Sequence, residues 1–214
     1  MQAGMKSEQC LQMTGIKIVN LNTMIEEIGE EAVKSYLSCF SCPQNQDVEM
    51  FLKQKAIEFA KQGLSQTHLV MMPYQGKPVL VGYFTLANKN IAISTKKLSS
   101  NLKRRIKKFA THDPGTKSYY IAAPLIAQLG KNFSNGYNKL ITGDELLSLA
   151  CEKVSIVQMA IGGRVVYVEC EDKPQLTEFY SRNGFYEFDT RKLERDETEL
   201  EGEYLVQMLR YLSK

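Results

Sequence analysis

The sequence of 214 residues has no tryptophan, two histidines, six prolines and an odd set of five cysteines. Each scarcity excludes something. Five thiols (Cys10, Cys39, Cys42, Cys151, Cys170) do not make a disulfide framework in a chain read as cytosolic. Cys39 and Cys42 form a C-x-x-C. No second pair matches that spacing and only His68 and His112 stand elsewhere, so helix-end packing is its expected role and no metal is expected. No stretch approaches the roughly 20 apolar residues needed to cross a bilayer, so no membrane span is expected. Met1 to Met13 lacks the basic start and apolar run of a signal peptide. The expectation is a flexible tail over 1–13, a single domain over 14–214 and a cytoplasmic location. A net charge of +3 is too small to imply nucleic acid by itself.

What is present is an ordinary globular composition, 43% hydrophobic, with unevenly placed charge. Lys96, Lys97, Lys103, Arg104, Arg105, Lys107 and Lys108 crowd one segment, and Glu194 to Glu203 is acidic. Solvated surface is the plain reading of both; a face for an anionic partner is the sharper one.

Hydrophobic periodicity divides the chain. Thr14 to Leu21 reads as a first strand and Thr23 to Phe40 as a helix ended by Pro43. Gln46 to Gln62 carries Val48, Phe51, Leu52, Ala56, Phe59 and Ala60 at helical spacing, and Gly63 stops it. Thr67 to Met72 and Pro78 to Asn88 flank the turn residues Tyr74-Gln75-Gly76-Lys77 and read as an antiparallel hairpin. Ser94 to Phe109 is a basic helix with the apolar stripe Leu98, Leu102, Ile106 and Phe109. Tyr119 to Leu129 has the length of a buried central strand. A loop over Gly130 to Lys139 leads to a helix from Thr142 to Ile161, stopped by Gly162-Gly163. Gly163 to Cys170, Phe185 to Lys192 and Tyr204 to Leu212 complete the strands. Helices alternating with strands in this order predict a mixed α/β fold, a central mixed sheet flanked by helices.

Two motifs carry chemistry. Thr142 and Glu145 have capping-box spacing, and Gly143 at the first helical position lets a ligand approach the backbone closely. The helix is expected to bury Leu146, Ala150, Val154, Val157 and Ile161. Its N-terminus offers amide donors and partial positive charge, the means by which a diphosphate is held; Lys131 and Lys139 would add charge, whereas Asp144 and Glu145 would compete with it. A plainly capped helix explains the same residues.

The second motif is Phe179-Tyr180-Ser181-Arg182-Asn183-Gly184-Phe185. It closes a short helix that begins at Lys173 with Pro174 in its first turn, and Gly184 fits the left-handed position that ends it. Taken with the element order, the chain resembles the GNAT superfamily of acyl-CoA-dependent N-acetyltransferases over roughly residues 64 to 212. Motif A of that family corresponds to Tyr119 to Ile161 and motif B to Arg164 to Phe185, which ends in the family's F-Y-x-x-x-G-F. The family's phosphate loop, Q/R-x-x-G-x-G/A, places Asn138 at its first position, Ile141 at the middle Gly and Gly143 last. The chain thus departs from the usual pattern at two of the three.

The resemblance implies acetyl-CoA as co-substrate and a primary amine as acceptor. The pantetheine arm would lie beside Gln128, Leu129 and Gly130, and the diphosphate on Asn138, Lys139, Leu140, Ile141, Thr142 and Gly143. Tyr180, protonated at neutral pH, would supply a proton to the departing thiolate. Glu169, Glu171 or water would take the proton from the incoming ammonium. Two alternatives stand beside this: an aminoacyl-tRNA acetyltransferase of the toxin branch, prompted by the Lys96 to Lys108 stripe, and a non-catalytic CoA-binding or interaction module, prompted by the altered loop. The oligomeric state is open, a homodimer included.

Overall fold

The computed structural model describes residues 15–96, 98–193, 200 and 202–212. The expected tail over 1–13, Lys97 and most of the acidic stretch after Leu193 lie outside them. Among the described residues, eight strands and their helices form two compact units, one within 15–85 and 128–148, the other within 86–127 and 149–212. The expected mixed α/β architecture is the one observed.

In the first unit β1 (Lys17–Asn20) pairs antiparallel with β2 (Gln66–Tyr74). The strand stops short of the expected Leu21 because the Asn20 side chain turns back to accept from the amides of Asn22 and Thr23, capping the next helix. That helix was expected to run unbroken to Phe40. It is instead α1 (Leu21–Ile28) and α2 (Glu30–Ser38), separated by Gly29 at φ 85°, a left-handed backbone that residues with a Cβ avoid.

The span read as one helix over Gln46 to Gln62 is α3 (Gln46–Met50), a π-helical turn (Phe51–Lys55) and α4 (Ala56–Lys61). Its apolar face is as expected: Val48, Phe51, Leu52, Ala56 and Ala60 are buried with Leu37, Phe40, Leu69 and Tyr83. The hairpin is also as expected, β2 joining β3 (Lys77–Ser94) through Gln75-Gly76, both left-handed. Buried hydroxyls of Thr67 and Thr85 meet at 2.8 Å. β3 runs six residues beyond the expected Asn88, since Ile91 and Ile93 are buried across the exposed Asn88-Lys89-Asn90.

In the second unit the later part of β3, β5 (Ser118–Lys131), β6 (Val165–Glu171), β8 (Tyr204–Tyr211) and β7 (Tyr186–Lys192) are neighbours in that order, and β4 (Thr111–Asp113) pairs β5. The helix expected over Ser94 to Phe109 is shorter, α5 (Ser100–Ile106), with the Ser99 hydroxyl accepting from Leu102 N–H at its start. Its apolar stripe holds: Leu98 and Ile106 are buried, and Leu102 and Phe109 pack against the cluster of Ile93, Tyr119, Ala123, Val165, Tyr167 and Leu209.

The helix after the loop, α6 (Gly143–Ile161), buries Leu146, Ala150 and Val154 as expected. Val157 and Ile161 differ, being 40% and 72% exposed beside Ile156 and Met159. The apolar part of the buried stripe therefore ends about two turns before the helix does. The last buried side chain there is Gln158, whose amide donates to the Val165 carbonyl at 2.8 Å.

Candidate functional site

The residues of interest divide between the two units. In the first, β5 delivers Gln128, Leu129 and Gly130. Gln128 does not hang free: its Nε2 donates to the Asp47 carboxylate at 2.8 Å, tying the strand to the first turn of α3. Leu129 is half-buried and Gly130 buried. Gly130 sits where a Cβ would collide with the Val48 side chain while merely touching Tyr83 and Phe40. Tyr83 donates its hydroxyl to the Val48 carbonyl at 2.6 Å, and burial, then the Asp47 charge, push its phenol well above the ordinary value.

The loop beyond Gly130 is organised by Asn132, which composition does not distinguish from any surface asparagine. Its buried amide donates to the Leu80 carbonyl at 2.9 Å, while its Oδ1 accepts from the amides of Ser41 and Ser134, each at 3.1 Å. Lys131 Nζ donates to the Asn138 carbonyl at 3.0 Å, closing the 3-10 segment Ser134–Lys139. Lys139 is exposed, Asn138 and Leu140 half-buried, and Ile141 buried. Ile141 thus anchors the loop to the core at the position where the family pattern has a glycine.

At the start of α6 the capping box forms as its spacing predicts. Thr142 N–H donates to Glu145 Oε2 at 2.7 Å and Glu145 N–H to Thr142 Oγ1 at 3.1 Å. The Thr142 amide, then its hydroxyl, hold the Glu145 carboxyl below its ordinary value, so it is an anion at neutral pH. One amide of the expected diphosphate cradle, that of Thr142, is consequently occupied by the protein itself. Gly143, half-buried, leads the helix behind them.

In the second unit β5 and β6 pair in parallel through Leu125↔Tyr167 and Ile126↔Val168. β6 pairs antiparallel with β8 along its whole length, Val165↔Tyr211 to Glu171↔Leu205. Motif B then forms as read: α7 (Pro174–Arg182) opens with Pro174 and closes at Gly184, φ 79°, where the Phe185 amide bonds the Tyr180 carbonyl at 3.0 Å. Tyr180 is 8% exposed, its ring edge-on to Phe179 at 5.0 Å and Phe185 at 5.6 Å. No described residue hydrogen-bonds its hydroxyl. Burial foremost, then the thiols of Cys170 and Cys151, raise its phenol above the ordinary value. Those thiols are themselves raised by burial, Cys151 to about 11 and Cys170 to about 12.

The two candidate proton acceptors are both engaged. Glu169 takes Arg191 Nε at 2.6 Å on one oxygen and Gln207 Nε2 at 2.8 Å on the other. Glu171 is buried and paired with Lys173 at 3.2 Å. Arg191, Gln207 and Asp47 were not singled out in the sequence. The first two become visible only once strand register is known, because they lie more than twenty residues from the carboxylate that they hold. Among the described residues no group of three or more His, Cys, Asp or Glu is placed to hold a metal ion, and no helix is long and apolar enough to cross a membrane.

No protein-family model matches the sequence, and no curated protein matches it. Solved structures do. AtaT complexed with acetyl-methionyl-tRNAfMet matches with a TM-score of 0.59 at 17% identity, over 89% of this chain and 93% of that one. A mutant of KacT matches at 0.58 and 16%, over 90% and 94%. A mutant of the AtaT toxin bound to the C-terminus of the antitoxin AtaR and acetyl-CoA matches at 0.55 and 13%, over 92% and 93%. The chain therefore shares the fold of AtaT and KacT.

Proposed function

We propose that this protein is an acetyl-CoA-dependent N-acetyltransferase, acting in the cytoplasm on a primary amine with Tyr180 as general acid. The observation that carries the reading is Tyr180 itself: a phenol, protonated at neutral pH, at the end of the helix where motif B places it, in a fold shared with a toxin solved with acetyl-CoA. The amine nitrogen attacks the thioester carbonyl carbon, the C–S bond breaks, and the departing sulfur takes the Tyr180 proton. Loss of the amine's extra proton falls to Glu169, Glu171 or water. Gln128, Leu129 and Gly130 are assigned to the pantetheine arm, and Asn138, Lys139, Leu140, Ile141, Thr142 and Gly143 to the diphosphate at the loop that leads into α6.

A second observation bears on the acceptor. Lys96, Arg104, Arg105, Lys107 and Lys108 are exposed around α5, a cationic stripe suited to a polyphosphate chain. With AtaT solved on an acetylated methionyl-tRNA, this supports an aminoacyl-tRNA as the amine-bearing acceptor. Calorimetry with acetyl-CoA, followed by thiol release with methionyl-tRNA, spermidine and lysine methyl ester, tests both readings. Thiol release with the tRNA, weakening steeply with salt, is expected. Acetyl-CoA binding with no thiol released from any acceptor would make the protein a binding module, and absence of acetyl-CoA binding would end the proposal.

A further inference from the structure

The Glu169–Arg191 pair exists because β7 is irregular. Side chains of directly opposed residues in an antiparallel ladder share a face. β6 and β8 pair in one register, Glu169 opposite Gln207 and Glu171 opposite Leu205. β7 begins on β8 with Tyr186↔Leu209 and Glu187↔Met208, then shifts, resuming as Asp189↔Gln207 and Arg191↔Leu205. Had the first register continued, Arg191 would stand opposite Tyr204 and point to the other side of the sheet. The extra residue at Phe188 turns Arg191 onto the face of Glu169, the re-aiming that a β-bulge performs.

Bulges interrupt pairing, and strand association alone does not call for this one. β8 lies between β6 and β7 and is hydrogen-bonded to both. What the bulge adds is a guanidinium at 2.6 Å from a carboxylate at the carboxyl end of β6, shielded to 12% exposure for the Glu169 side chain and 27% for that of Arg191. With the Gln207 amide at 2.8 Å, each carboxylate oxygen has a directional donor, so the group is fixed in position while it keeps lone pairs to spare.

We propose that Arg191 is a positioning residue for the acceptor amine: acting through Glu169, and aided by Gln207, it fixes the carboxylate that receives the incoming ammonium. This rests on the acetyltransfer reading above and selects Glu169 over Glu171, whose carboxylate is buried beside Lys173. Holding a reacting partner in place is worth about two orders of magnitude when lost through a small displacement.

The experiment compares wild type, Arg191→Met, Arg191→Lys and Gln207→Leu in thiol-release kinetics, with the acceptor of the panel that wild type uses best and with calorimetry of acetyl-CoA on the same samples. Arg191→Met keeps the stem and removes the charge. It is expected to lower kcat/KM for the amine roughly 10- to 100-fold while acetyl-CoA affinity stays within about twofold. Arg191→Lys should recover part of the loss, since it restores charge without the planar fork, and Gln207→Leu should show a smaller loss in the same direction if Arg191→Met does not fold. An unchanged kcat/KM in Arg191→Met overturns the proposal alone. So does a matched loss of acetyl-CoA affinity that lysine does not relieve, because the pair is then a strand clamp. A wild type that releases no thiol with any of the three acceptors removes the acetyltransfer reading and this proposal with it.

Discussion

Thr142 and Glu145 satisfy one another at the start of α6, amide to carboxylate at 2.7 Å and amide to hydroxyl at 3.1 Å. Thr142→Ala removes the hydroxyl acceptor and should lower stability at pH 7 by about 1 kcal/mol. The sign with pH follows from the depressed Glu145 value: its contribution is present above the unfolded value of 4.5 and is lost as pH falls through the lower folded one. Urea denaturation at pH 7 and at pH 3 checks this, and a difference between wild type and Thr142→Ala that persists undiminished at pH 3 contradicts it.

The same carboxylate opposes the ligand assigned to that helix end. Glu145→Gln keeps an acceptor for the Thr142 amide and removes the charge, so acetyl-CoA should bind about 2- to 5-fold tighter at low salt, an effect that fades as salt is added. Titration calorimetry at two ionic strengths decides it; equal affinity at low salt would place the diphosphate elsewhere.

Tyr180→Phe should leave acetyl-CoA affinity and folding nearly unchanged, because the ring packs on Phe179 and Phe185 and no described residue bonds the hydroxyl. Turnover should fall by about 10²- to 10⁴-fold. With the phenol raised above its ordinary value of 10.0, wild-type activity should show no alkaline decline from this group up to that pH. Retention of full turnover by the phenylalanine variant would remove Tyr180 from the chemistry.

Gly130→Ala should be harmful through packing. Its added methyl meets Val48, and overfilling a tight core lowers stability by about 1 to 3 kcal/mol, a drop in Tm on the order of 5 °C for a chain this long. The double variant Gly130→Ala with Val48→Ala should recover part of the drop. Differential scanning calorimetry of the three proteins is the check, and equal Tm values for wild type and Gly130→Ala would show the site to be roomier than its neighbours indicate.

Asn132→Ala strips partners from the Ser41 and Ser134 amides and the Leu80 carbonyl. A loss of about 3 kcal/mol is expected in denaturant unfolding, since a buried polar group left without a partner costs about 1 to 3 kcal/mol. A change below about 1 kcal/mol would mean that water takes over these contacts.

Local chemistry was the legible part of this chain. Capping boxes, Pro174 at a helix start and Gly184 at a helix end act over three or four residues, and each is found where its spacing predicts. Gly29 was overlooked because a lone glycine within a helical pattern is often tolerated. Val157 and Ile161 were assigned to the core because a helical stripe predicts which side is apolar but not how far the covering element extends. Asn132, Arg191 and Gln207 were beyond reach for a different reason. Apart from Ser134, their partners are 22 to 91 residues away, and only the folded chain, with its register and bulge in the case of Arg191, brings them together. The site is therefore readable in its helix ends and unreadable in its cross-strand pairs.

The π-helical turn at Phe51–Lys55 makes this helical span tolerant of one particular change in its own length. A single turn of that kind inside an α-helix holds one residue more than the plain α-helical path. Deleting one residue there would let the span close as ordinary α-helix with Gln46–Met50 facing as before relative to Ala56–Lys61, so that Val48 keeps Gly130 and the Tyr83 hydroxyl, and Asp47 keeps Gln128. Deleting a second residue would swing the first segment by about 100° and part all three.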